Sequence, residues 1–237
     1  GGNVIAISTI AHDITQRKRD EAHMQFIMRE LSHRSKNLLS VVLSFARQTW
    51  NQSKDFHDFE SRFAGRLHAL ARSHDLLVRQ DWRGAGLEGL AQTHLAPFAG
   101  DEPGKLDVNG PSLFLKPDAV QNLGYAFHEL ATNAAKYGAL SNPDGKVTLR
   151  WELAASPAGP RVRISWRESG GPPVAIPQRR GLGSMLTGTM TEKALGGKVT
   201  AHYEPTGFVW EIDIPAERIL HDDAAGVERA GGLSIAH

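Results

Sequence analysis

Cysteine is absent from the 237 residues, which excludes disulfides, thiolate metal ligands and a cysteine nucleophile and fits a cytoplasmic setting. Also missing are an apolar run of about 18 residues and a charged-then-apolar leader, so the chain is expected neither to span a membrane nor to be secreted. Neither charge is in large excess: 27 Lys and Arg stand against 26 Asp and Glu, which argues against a general nucleic-acid binder. The balance is uneven along the chain. Residues 12–80 hold 12 basic against 8 acidic side chains, leaving 15 against 18 elsewhere. A modest basic excess interspersed with acids suits an acidic protein surface better than DNA. There is no internal repeat, and no Gly-x4-Gly-Lys-Ser/Thr phosphate loop. What is present, at 41% hydrophobic residues, is enough for a sizeable core and for two folding units.

Residues 4–10 are rich in β-branched side chains and read as a strand. The following Ala11 to Lys18 resembles the ending of PAS sensor domains, where a last strand passes through an Asp-Ile-Thr step into a signalling helix. Residues 1–14 are therefore expected to be the end of a PAS-like sensor. From Thr15 to Asn51 there is neither Pro nor Gly, and the helical period holds over about 50–55 Å. A second apolar series, Phe56, Phe59, Phe63, Leu67, Leu70, His74 and Leu77, advances by threes and fours. A polar turn at 51–55 joins the two, which predicts a long antiparallel hairpin over 15–80, completed to a four-helix bundle in a homodimer or covered by a sensor domain. His74 reads as a packing residue. Residues 81–86 read as a linker.

The remainder alternates. A helix near Leu87–Phe98 leads to strands near Leu106–Val108 and Leu113–Leu115. A helix from Pro117 to Tyr137 has Pro in its first turn and is stopped by Gly138. Strands near Lys146–Leu153 and Arg161–Arg167, a helix near Leu182–Ala194 and strands near Lys198–Tyr203 and Gly207–Ile214 follow. This order predicts an α/β sandwich over 87–215 with helices on one face of one sheet. Residues 216–237 read as a polar tail.

Within the first helix Ile27, Leu31, Leu38, Val42 and Phe45 form the apolar stripe. His33 lies two residues past Leu31, roughly 200° round the helix, and faces away from it. It stands with Arg34, Lys36 and Asn37, with Glu30 one turn back, which makes it a candidate nucleophile as well as an ordinary solvated histidine.

Three further clusters carry polar chemistry. In His128 to Gly138, the residues Glu129, Asn133 and Lys136 or Tyr137 share a helical face. A carboxylate and an amide one turn apart can share a hard cation such as Mg²⁺, and Lys136 can meet phosphate charge. A solvated amphipathic face would look the same. The second cluster, Trp166 to Pro173, follows a strand: its glycines allow a close backbone approach, and Glu168 can accept from an adenine amine, although an ordinary turn also fits. The third is Gly181-Leu182-Gly183-Ser184 ahead of a helix, where small residues and a helix N-terminus can hold phosphate oxygens.

In this order and spacing the clusters resemble the N, G1 and G2 boxes of Bergerat-fold ATPases, found in histidine kinases, gyrase and heat-shock chaperones. His128 and Glu129 with Trp166-x-Glu168 resemble the signature of the HWE sensor histidine kinases, and His33-Arg34-x-Lys36-Asn37 resembles that family's phosphoacceptor box. The resemblance covers roughly residues 25–214. It implies binding of ATP with Mg²⁺, autophosphorylation of a histidine, and transfer to an aspartate of a response-regulator receiver domain. Position by position it makes His33 the phosphoacceptor, with Arg34 and Asn37 beside it. Asn133 becomes the Mg²⁺ ligand, and Glu129 a base or metal-linked ligand. Glu168 becomes the adenine-reading acid, with Lys136, Tyr137, Trp166, Gly170, Gly181, Gly183 and Ser184 around the nucleotide. Arg34 stands where the commonest histidine kinases have an acid. Arg cannot accept a proton, so Glu30, Glu129 or the phosphate oxygens would take it, and Arg34 could stabilise the transferring phosphoryl. The lid between the second and third clusters is expected to be short, with Arg179 and Arg180 near the phosphates. The alternatives are an ATP-binding interaction module without autokinase activity and a chaperone- or gyrase-like ATPase.

Overall fold

The helical pattern from residue 15 produces α1, Thr15–Trp50. Asp13 accepts a hydrogen bond from the Thr15 N–H at 2.8 Å, which satisfies one of the free donors of its first turn. The polar turn then ends at Asp55, whose carboxylate accepts from the Asp58 N–H at 2.8 Å and caps α2, Phe56–Val78. This computed structural model describes residues 13–99, 104–174 and 185–221. The expected PAS-like strand at 4–10 lies outside the described residues. The chain forms two units, residues 1–47 and 48–237.

The second unit holds the last turn of α1, then α2, and then the alternating elements: β1 (Ala85–Gly86), α3 (Leu87–Ala99), β2 (Leu106–Asn109), β3 (Phe114–Leu115), α4 (Pro117–Tyr137), β4 (Lys146–Ala154) and β5 (Arg161–Ser169). A π-turn at Leu186–Met190 runs into α5 (Thr191–Leu195), followed by β6 (Lys198–Glu204), β7 (Gly207–Pro215) and α6 (Ala216–Ile219). One sheet has the order β2-β4-β5-β7-β6, parallel only between β2 and β4. The pair β1 and β3 forms a separate antiparallel ribbon.

Alternation along β5 sorts the two faces of the sheet. Val162, Ile164 and Trp166 are fully buried with Leu149, Trp210 and Ile212 against Leu90, Leu95, Leu123, Phe127 and Leu130 of α3 and α4. The opposite residues carry charge. Arg163 pairs with Asp213 and Glu152, and Arg167 with Glu211, across the strands. Glu168 is the next member of the buried series, so the strand period delivers a carboxylate to the core side of the sheet end.

Three features differ from the expected division. Helix α2, assigned by its apolar series to a hairpin unit over 15–80, belongs to the second unit. Its buried residues are Arg66, Ala69, Leu70, Ser73 and Leu77, a stripe turned by about one residue from the expected one because polar partners on α3 and α4 receive Arg66 and Ser73. The linker over 81–86 is a built corner. Asp81 and Trp82 have φ of 49° and 59°, in a region costly for bulky residues. The Trp82 N–H bonds to Leu77 O at 2.8 Å, and its ring meets His74 edge-on at 4.9 Å. Finally, the fold runs past residue 215. Ala216, Ile219 and Leu220 are buried, and the Lys116 N–H donates to Ile219 O at 2.7 Å.

Candidate functional site

Helix α4 starts at Pro117 as its sequence predicts, and ends at Gly138 for a reason the capping rule does not contain. Gly138 sits at φ −116°, a conformation open to any residue. A Cβ there would fall 1.9 Å from Glu168 Oε2. The glycine is required by the close approach of the carboxylate. The Ala139 N–H donates to Glu168 Oε2 at 2.8 Å and the Trp166 indole N–H to Oε1 at 3.1 Å. Trp166 and Glu168 share a strand face at i and i+2, so the Trp-x-Glu spacing is what lets the indole orient the acid. Burial pushes the Glu168 carboxyl up, and the two N–H donors oppose that rise. Gly170 turns the chain at φ +71°, where a Cβ would also meet Asp144 O at 2.6 Å. Its own carbonyl accepts from Asn142 at 2.9 Å, tying the turn after β5 to the loop after α4.

On α4 the expected face divides. Asn133, Lys136 and Tyr137 are exposed, Tyr137 at 66%. His128 and Glu129 are buried. Arg66 of α2 donates to Glu129 from Nε at 2.9 Å and from Nη2 at 3.2 Å, and from Nη1 to Thr49 Oγ1 at 2.7 Å. Arg72 lies 3.2 Å through Nη2 from His128 Nδ1. A guanidinium only donates, so Nδ1 accepts, and the His128 proton is on Nε2. On α3, His94 Nε2 lies 2.9 Å from Ser73 Oγ. Burial first, and then the Arg72 charge, hold His128 down to about 4 and His94 down to about 3.

Arg66, Arg72, Ser73 and His94 were not anticipated. The signal was present, because Arg66, Leu70, Ser73 and Leu77 also advance by fours and threes. An arginine within such a stripe marks a buried partner. The backbone at His33, Arg34 and Asn37 is helical within α1, but their side chains and that of Glu30 lie outside the described residues. So do Arg179, Arg180, Gly181, Gly183 and Ser184. Among the described residues no group of three His, Asp or Glu side chains could cage a metal ion, and no helix is long and apolar enough to cross a membrane.

The sequence profile of the HWE histidine kinases matches residues 30–112. A blue-light-activated histidine kinase of Brucella anthropi is 36% identical over 214 residues, 90% of this chain and 44% of that protein. Residues 30–112 belong to the HWE histidine kinase family. Its Brucella ovis relative, also a blue-light-activated histidine kinase, is 35% identical over 206 residues, 87% of this chain and 42% of that one. The chain thus spans less than half the length of the curated relatives it matches. The solved Erythrobacter litoralis EL346 blue-light activated histidine kinase aligns with a TM-score of 0.55 at 18% identity, covering 89% of this chain and 62% of that one. That likeness establishes the fold: long helices followed by the α/β sandwich of the histidine-kinase ATPase type. Trp166→Phe removes one N–H from the buried Glu168 at a cost of about 1–3 kcal/mol. A lower thermal midpoint at unchanged secondary structure, read by calorimetry and circular dichroism, is the expected outcome.

Proposed function

We propose that this chain is the catalytic region of a sensor kinase: it binds Mg²⁺-ATP, phosphorylates His33, and passes the phosphoryl group to an aspartate of a response-regulator receiver. The observation that carries the reading is the Glu168 carboxylate, held by two N–H donors at the end of β5 beside the C-terminus of α4, one turn from exposed Asn133 and Lys136. Each Glu168 oxygen keeps a lone pair for an adenine amine. Magnesium bound with a nucleotide keeps most of its ligands as water and phosphate oxygen, so one exposed amide suits it better than a carboxylate cage would. Asn133 would hold it through Oδ1, and the ion would offset phosphate charge. Lys136 meets the phosphates.

In the transfer, His33 Nε2 forms a bond to the γ-phosphorus as the bond to the β–γ bridging oxygen breaks and ADP leaves. The imidazole proton passes to Glu30, to Glu129 or to a phosphate oxygen, since Arg34 cannot take it. Arg34 offsets charge on the moving phosphoryl, and Asn37 positions a water for receiver dephosphorylation. The basic first half of the chain suits the acidic receiver. A second copy completing a four-helix bundle, and a cytoplasmic location, belong to the same reading. Acid-labile, base-stable label on the protein after incubation with γ-labelled ATP is the test. Steady ATP turnover without protein label would favour the chaperone-like ATPase instead, and nucleotide binding with neither would favour the interaction module.

A further inference from the structure

Glu129 has the position of a base or a metal-linked ligand, yet both of its oxygens are already taken. Arg66 binds them at 2.9 and 3.2 Å, and both side chains are only 8% exposed. With its charge matched by a guanidinium in this fork, the carboxylate can receive a proton or a cation only by giving up two charge-assisted bonds. The neighbouring His128 is taken in the same way by Arg72, again from α2. Two adjacent residues of the nucleotide helix therefore receive two arginines of one helix.

The seam is polar and incompletely satisfied. Arg72 Nε and His94 Nδ1 are buried without a hydrogen-bond partner among the described residues, and Arg66 and Ser73 are two of the five residues that α2 buries. Lifting α2 from α4 gives water to these polar groups, which offsets part of the cost of exposing Ala69, Leu70 and Leu77. The third arm of Arg66 reaches Thr49 in the last turn of α1 at 2.7 Å, so the helix that carries the phosphoacceptor box ends on the same arginine.

We infer that Arg66 is a latch residue acting through Glu129: with α2 seated on α4, Glu129 is withheld from phosphoryl transfer, and release of α2 frees it. The inference rests on the phosphotransfer reading above. In the full chain, Arg66→Ala is expected to raise the autophosphorylation kcat about threefold or more while KM for ATP stays within about twofold. Arg66→Lys, which keeps the charge but not the fork, falls between. In a Glu129→Gln background, Arg66→Ala changes kcat by less than about 1.5-fold, because the two residues act as one unit.

A second variant does not depend on removing a buried charge. A Cβ at Gly124 would lie 2.3 Å from Ser73 Oγ and 2.8 Å from His94 Nε2, so Gly124→Ala wedges α2 away from α4 without removing a charge. It is expected to raise kcat about threefold or more in the wild-type background and to change it by less than about 1.5-fold with Glu129→Gln. An unchanged or lower kcat in Arg66→Ala and Gly124→Ala overturns the latch, as does an effect of the same size in both backgrounds. Wild-type protein that remains unlabelled overturns the phosphotransfer reading and the latch with it.

Discussion

Replacing His33 by alanine is expected to abolish acid-labile labelling from γ-labelled ATP while leaving nucleotide affinity within about twofold. The effect is large because the proposed function makes the imidazole the nucleophile itself. Removing it takes away the atom to which the new P–N bond forms, so the loss should exceed about 10³-fold in rate. Affinity is expected to survive because the residues assigned to the nucleotide, Asn133, Lys136 and Glu168, lie on α4 and β5, whereas His33 lies on α1. The measurement is label retained after alkaline and after acid treatment, paired with calorimetric titration of an ATP analogue. Label that persists in the variant at the wild-type rate would move the acceptor to another residue. The same assay run against pH bears on the missing proton acceptor, since Arg34 leaves Glu30, Glu129 and the phosphate oxygens to share that work.

The second large effect is on stability. His94 and His128 are buried and neutral, with values near 3 and 4 against about 6.5 for the free imidazole. Burial dominates, and Arg72 adds to it for both rings, with Arg66 and Lys136 also facing His128. Above pH 6.5 folded and unfolded chains bind the same protons at these sites. As pH falls from 6.5 toward 4, the unfolded chain takes up protons that the folded one refuses, so stability declines. Each imidazole contributes about 1.4 kcal/mol per pH unit in that window. Between pH 8 and pH 5 the pair costs about 4 kcal/mol, a fall in Tm on the order of 10 °C for a unit of this size. Glu168 works in the opposite sense, because its raised carboxyl destabilises the fold at neutral pH and is relieved by protonation. Thermal melts at pH 8 and pH 5 for wild type, His94→Gln and His128→Gln should show each substitution removing about half of the slope. An unchanged slope in both variants would mean that other groups govern acid sensitivity.

The α2–α4 seam and the Glu168 site beside it are legible in the sequence to different degrees. The boundaries of α4 were readable to the residue, because Pro117 and Gly138 are local signals. Trp166 is singled out by resemblance to the family signature and Glu168 by its place at a strand end, both as residues around a nucleotide. In the fold Trp166 is fully buried and acts on Glu168. Gly138 was read as a helix stop, and its actual constraint is a carboxylate arriving from thirty residues away. Such constraints come from elements distant in sequence, where periodicity carries no information.

The sequence by itself determined the order and type of most of the elements and the family resemblance, and it supplied the polar residues proposed for phosphotransfer. Hydrophobic period and turn chemistry are local properties, and they survive without knowledge of neighbours. Only the tertiary structure decided that α2 seats on α4 and that its buried stripe runs through Arg66 and Ser73. It also decided that Glu129 is held by a guanidinium. The physical reason is that a polar residue can be buried only opposite its partner, and Glu129 lies 63 residues from Arg66 along the chain. The period of a helix names its apolar face, whereas the element that covers that face is chosen by long-range packing.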